Sequence, residues 1–203
     1  MFPISHFNIT RTPFYYYDKT LLSNTLAKLI RLAGERNYHV HYAVKANANP
    51  EILKLIAASG IGADCVSGGE IKAALEAGFP AKKIVFAGVG KADWEIEYAL
   101  EKKIFCFNVE SAEELSVIEE LAKKKENIAS IALRINPNID AHTHEYITTG
   151  LSENKFGIPI EMLDSIFSQI QRSPHVQLVG FHFHIGSQIL NLETFHVLCE
   201  RIN

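Results

Sequence analysis

Six polar residues stand at or beside the ends of short apolar runs: Lys45, Asp64, Asn108, Arg134, Asn136 and His184. A loop Gly186-Ser187-Gln188 follows the last of them. Lysine is an odd residue to end a buried run, because an interior ammonium is costly unless paired. A lysine held there is suited to Schiff-base chemistry, which needs the amine as a nucleophile. The plainer reading, a lysine whose stem packs while its ammonium reaches water, is equally open on residue type alone. His182 shares the parity of His184 but lies deeper in its run, and reads as a satisfied core histidine.

These residues need elements to hold them. The apolar runs are His39–Lys45, Gly62–Val66, Ile84–Val89, Ile104–Val109, Ile128–Asn136 and Leu178–His184. Helical patterns lie between them. Ser67 with Glu70, and Ser111 with Glu114, have the spacing of a capping box, in which each residue satisfies a free N–H near the other. Asp18 is placed to cap a helix carrying Leu22, Leu26, Leu29 and Ala33 at helical spacing. Gly78 stands where a helix ends in a left-handed residue, with Pro80 just beyond. Strand–helix alternation implies parallel pairing.

Side-chain alternation within the runs separates two architectures. Ser130, Ala132, Arg134 and Asn136 oppose Ile131, Leu133 and Ile135, and Gly180, His182 and His184 oppose Val179, Phe181 and Phe183. One small or polar face and one bulky face suit a (β/α)8 barrel better than the central strands of an open sheet. Six strands are expected, two short of closure, and in such a barrel the chemistry lies at the C-terminal strand ends. Thr12–Tyr17 is aromatic and strand-like but precedes the first helix, so it is expected to pair outside the barrel.

The 203 residues are 47% hydrophobic and 21% charged, with a net charge of −3. That balance favours no nucleic-acid or membrane partner. Cys65, Cys106 and Cys199 lack metal-type spacing, so no metal site is expected. They read as reduced, buried small hydrophobes in a cytoplasmic protein. The opening residues lack the pattern of a secretion signal.

Five ordered segments carry a family resemblance. "YAVKANANP" at Tyr42–Pro50, "GADCVSGGEI" at Gly62–Ile71 and "HFHIGSQ" at His182–Gln188 resemble signatures of the barrel-type pyridoxal-phosphate enzymes, which include alanine racemase and the ornithine and diaminopimelate decarboxylases. "RINPNIDAHTHEYITTG" at Arg134–Gly150 and "NKFGI" at Asn154–Ile158 look specifically like the diaminopimelate decarboxylases. The resemblance implies pyridoxal 5'-phosphate bound to Lys45 as a Schiff base, and decarboxylation of meso-2,6-diaminopimelate to L-lysine. His184 would stack on the ring, and Gly186 and Ser187 would hold the phosphate. Asp64 and Arg134 would belong to the surrounding polar shell. An ornithine- or arginine-type decarboxylase and a non-catalytic pyridoxal-phosphate-binding barrel are the alternatives.

The family's Glu-Pro-Gly-Arg segment, its late Gly-rich phosphate loop and its C-terminal β-domain do not occur in this sequence. The implied organisation is therefore residues 1–18 pairing with a missing β-domain and residues 19–203 forming an incomplete barrel. It would take a small amino-acid substrate and be homodimeric when full length. The 203-residue chain alone is expected to be inactive.

Overall fold

From residue 41 onward strand and helix alternate, as the spacing of apolar runs and caps requires. The computed structural model describes residues 3–137, 156–187 and 189–202. Two compact units are present, Met1–His39 and Val40–Asn203.

The first unit holds a short helix α1 (Ile4–Phe7) and α2 (Lys19–Gly34). The Asp18 carboxylate caps α2, accepting from the Leu21 N–H at 2.9 Å. Of the apolar stripe, Leu26 and Ala33 are buried, whereas Leu29 is 43% exposed. Residues 12–17 form no strand. A strand needs a partner ladder, and no described residue supplies one to this segment. Its rings instead contact neighbours: Tyr15 stacks on Tyr17, while Phe7 meets Phe14 and the edge of Tyr16.

In the second unit the strands are β1 (His41–Ala43), β2 (Gly62–Cys65), β3 (Ile84–Phe86), β4 (Cys106–Val109), β5 (Ala129–Asn136), β6 (Ile158–Pro159) and β7 (Val176–His182). Helices α3 (Pro50–Ala58), α4 (Gly68–Ala77), α5 (Asp93–Lys102), α6 (Ala112–Lys124), α7 (Leu163–Gln171) and α8 (Glu193–Ile202) connect or follow them. Every strand pair is parallel, and β1 to β5 lie side by side in chain order. Both β6 and β7 pair with β5. No reversal of strand order occurs, as it would in a doubly wound sheet, so this is a barrel segment. The two-residue β6 is an addition to the six expected strands; two residues are too few to show an alternation.

The core lies between the helices and the bulky face of β5, whereas Val179 and Phe181 on the bulky face expected of β7 are exposed. Ile131, Leu133 and Ile135 of β5 are buried, as are Leu115, Ile118, Leu121 and Ala122 along one stripe of α6. Each fully buried Leu or Ile contributes about 1.5–3 kcal/mol. Gly78 ends α4 with φ +99°, as its position foretells.

One irregularity positions the site. In β5 and β7, Ile131 faces Leu178 but Ala132 faces Gly180, so Val179 is an extra, unpaired residue. The bulge shifts the phase of β7 by one residue. Arg134 therefore meets His182, where an unbroken register would present Phe181.

Candidate functional site

Two clusters of polar side chains form at the C-terminal strand ends. The first is built at the end of β2. The Asp64 residue faces Ala43 across the ladder, two residues before Lys45. Burial raises the pKa of the Asp64 carboxyl, Lys45 lowers it and Glu70 raises it again. Its Oδ1 is buried and has no hydrogen-bond partner among the described residues. Glu70 is fixed by the start of α4: its N–H donates to Ser67 Oγ at 3.2 Å, and its Oε2 accepts from the Val66 N–H at 2.8 Å.

Lys45 departs from the expectation of a buried strand residue. Strand β1 ends at Ala43, and Val44–Ala46 form a 3-10 turn closed by the Asn47 N–H to Val44 carbonyl bond. The turn lifts Lys45 out of the strand's alternation and leaves it exposed. Its ammonium thereby avoids the cost of burial while its charge still acts on the Asp64 carboxyl.

A second cluster joins β3, β4, β5 and β7. Arg134 Nη1 donates to Glu110 Oε2 at 2.8 Å, and both side chains are nearly buried. Glu110 Oε1 accepts from the Gly88 N–H at 3.2 Å. The Glu110 N–H donates to Glu114 Oε2 at 2.8 Å, and Glu114 Oε1 pairs with Lys91 Nζ at 2.6 Å. The Lys91 side chain is 1% exposed and its Nζ also donates to the carbonyls of Gly88 and Asn108. The guanidinium lies 5.8 Å from the centre of the Phe156 ring.

His182 is not the satisfied core histidine expected of it. Its Nδ1 is buried without a hydrogen-bond partner among the described residues, although its strand neighbour is Arg134. Burial, then Arg134, His184 and Lys91, push its imidazole down to about 4, so it is neutral at pH 7. His184 stands two residues past β7 and is half-buried. Gly186 has φ +135°, a conformation that favours glycine, and Ser187 beside it is exposed. Gln188 and residues 138–155, including most of the "RINPNIDAHTHEYITTG" segment, lie outside the described residues.

Other strand-end residues divide. Asn108 is buried and contributes its carbonyl to Lys91. Asn136 belongs elsewhere, lining a cleft with Pro159, Ile160, Glu161 and Arg201. The thiols of Cys65 and Cys106 are buried and pushed up to about 12 and about 11, chiefly by burial, which suits packing. Cys199 is exposed, against the expectation of burial, because α8 buries none of its residues. No group of three or more metal-binding side chains occurs among the described residues. No described helix is long and apolar enough to cross a membrane.

Sequence reasoning missed Lys91, Glu110 and Glu95, and saw Glu114 only as a cap. Lys91 had a signal: it follows Gly88-Val89-Gly90 directly after a strand. Glu95 had only weak signal. It bridges two helix starts, accepting from the Gly68 N–H at 2.6 Å and the Ala92 N–H at 3.0 Å.

The residues fit a planar, phosphate-bearing aldehyde. Lys45 offers an accessible amine, Asp64 Oδ1 and His182 Nδ1 are buried atoms in want of partners, and Gly186 lets the backbone approach an anion.

Fold and strand-end site together define a barrel-type cofactor-binding domain. A family model described as "Pyridoxal-dependent decarboxylase, pyridoxal binding domain" matches residues 23–203, and the chain belongs to this family, whose cofactor is pyridoxal 5'-phosphate. Diaminopimelate decarboxylase of Bacteroides thetaiotaomicron is 58% identical over all of this chain and 53% of its own length. The diaminopimelate decarboxylase of Helicobacter pylori, solved with L-lysine, superposes with a TM-score of 0.83 at 43% identity, covering 98% of this chain and 52% of that one. Its M. jannaschii counterpart, also with L-lysine, gives a TM-score of 0.85 at 38% identity over 95% and 46%. This chain thus spans about half the length of the relatives it matches.

Proposed function

We propose that the full-length protein decarboxylates meso-2,6-diaminopimelate to L-lysine and CO2, with pyridoxal phosphate attached to Lys45. The observation that carries this reading is the exposed Lys45 at a strand end, whose charge acts on Asp64, a half-buried carboxyl with a buried Oδ1 that has no hydrogen-bond partner among the described residues. The cofactor, when bound, supplies an electron sink for the bond pair left by departing CO2. This chain's residues supply binding and orientation. Lys45 provides the amine for attachment, His184 a ring to stack on the cofactor, and Gly186 with Ser187 a phosphate contact. Asp64 and Arg134 form the charged shell, and neutral His182 adds no further positive charge beside Arg134. The bound L-lysine of the H. pylori and M. jannaschii relatives matches the product of the proposed reaction.

Residues 1–18 are proposed to pair with a β-domain in the remaining half, leaving residues 19–203 as the barrel portion. The complete enzyme is proposed to be a cytoplasmic homodimer acting on a small amino acid. Measured kcat/KM values of the full-length protein for diaminopimelate, ornithine, arginine and lysine test the substrate. Diaminopimelate should give the highest value, and a higher one for ornithine or arginine overturns the reading.

A further inference from the structure

Arg134 is anchored by a chain of hydrogen-bonded groups on β4, on the loop after β3 and at the start of α6. One of its donors is committed to Glu110 Oε2 at 2.8 Å, and Glu110 is only 6% exposed. A carboxylate so deeply buried is costly unless its oxygens are matched. Here both are: Oε1 takes the Gly88 N–H and Oε2 takes the guanidinium. The backbone of Glu110 is fixed in turn by Glu114, whose other oxygen is held by buried Lys91. Lys91 ties this corner to the β3 loop through the Gly88 carbonyl and to β4 through the Asn108 carbonyl. Groups from the β3 loop, β4 and β5 therefore meet at one buried side chain.

The geometry points to Glu110 as the positioning residue that aims the Arg134 guanidinium at pyridoxal phosphate, with Lys91–Glu114 as its brace. An arginine has five N–H donors in a rigid fork, so fixing one of them orients the rest. Without Glu110 the long Arg134 side chain regains rotamer freedom that must be lost again on cofactor binding. This inference rests on the proposed reading of Arg134 as part of the cofactor shell.

The test uses the full-length protein stripped of cofactor and titrated with pyridoxal phosphate, followed by its absorbance. Four forms are compared: wild type, Glu110→Gln, Arg134→Met and the double variant. Glu110→Gln should weaken cofactor affinity at least tenfold while near-UV circular dichroism still shows a cooperative thermal transition. On the Arg134→Met background the same change should alter affinity less than twofold, because the group it positions is gone. If Glu110→Gln alone does not fold, the double variant decides, since it leaves no unpaired buried charge: affinity equal to that of Arg134→Met supports the inference. Equal loss from Glu110→Gln in both backgrounds, or none in either, overturns it. Wild-type affinity in Arg134→Met removes the cofactor role of Arg134, and the inference with it.

Discussion

The corners that open α4 and α6 are built from the same four-residue code and end up in opposite states. Ser67 and Ser111 have nearly the same backbone angles, φ −155° with ψ 160° and φ −154° with ψ 166°. Each hydroxyl accepts from the N–H of a glutamate three residues on, at 3.2 and 3.1 Å. Each glutamate accepts, at 2.8 Å, from the N–H four residues before it. Only the surroundings differ. Glu114 meets buried Lys91, so its corner is neutralised from within. Glu70 is in no ion pair among the described residues and adds its charge to that of Asp64. Identical capping chemistry thus yields one closed structural corner and one acid-rich corner that turns to Lys45 at the rim.

The sharpest test of this contrast is covalent. In the full-length protein, borohydride reduction and peptide mapping should place the pyridoxyl label on Lys45, and Lys45→Ala should abolish it. Labelling of Lys91 instead would reverse the roles of the two corners. Next in size is the closed corner itself. Lys91→Met strands Glu114 as a buried charge and should cost about 3–5 kcal/mol in urea unfolding. Glu70→Gln should cost about 1 kcal/mol or less, since only a cap contact changes. Similar losses would mean that the two corners do not differ in kind.

A pH measurement separates Asp64 and His182, each with one buried atom that lacks a partner among the described residues. The His182 imidazole titrates near 6.5 when unfolded and about 4 when folded. The unfolded chain takes up the proton first, so the stability due to neutral His182 is full above about pH 6.5 and falls as pH drops toward 4. His182→Asn should flatten that slope in thermal melts across the window; an unchanged slope assigns it to other groups. Asp64, whose carboxyl is raised, works in the other direction and favours the fold at the acid end. Ser67→Ala and Ser111→Ala should each cost a similarly small amount, about 1 kcal/mol. Unequal losses there would show that the caps are not the shared element.

What could be read beforehand was what local sequence encodes. Both Ser-x-x-Glu boxes, the Asp18 cap, the Gly78 stop and the polar face of β5 depend on residues a few positions apart. Lys91 with Glu114 spans 23 residues and Arg134 with Glu110 spans 24, and no periodicity announces such pairs. Lys45 was recognised as chemical yet placed wrongly, because a 3-10 turn in "AVKAN" has no composition of its own. The Val179 bulge was invisible for a related reason. Alternation along β7 is unbroken in sequence, and only its partner β5 shows the phase to change.

The unbroken run of neighbours from β1 to β5 bears on how the molecule is made. A ribosome releases the N-terminal end first, so each new strand emerges beside one already delivered, and no strand waits for a distant partner. Cross-links follow the same schedule: Lys83 reaches back to the Gly60 carbonyl, Glu95 to Gly68 and Glu110 to Gly88. Lys83, Glu95 and Glu110 thus tie each unit to the one before it in the chain, 23, 27 and 22 residues back.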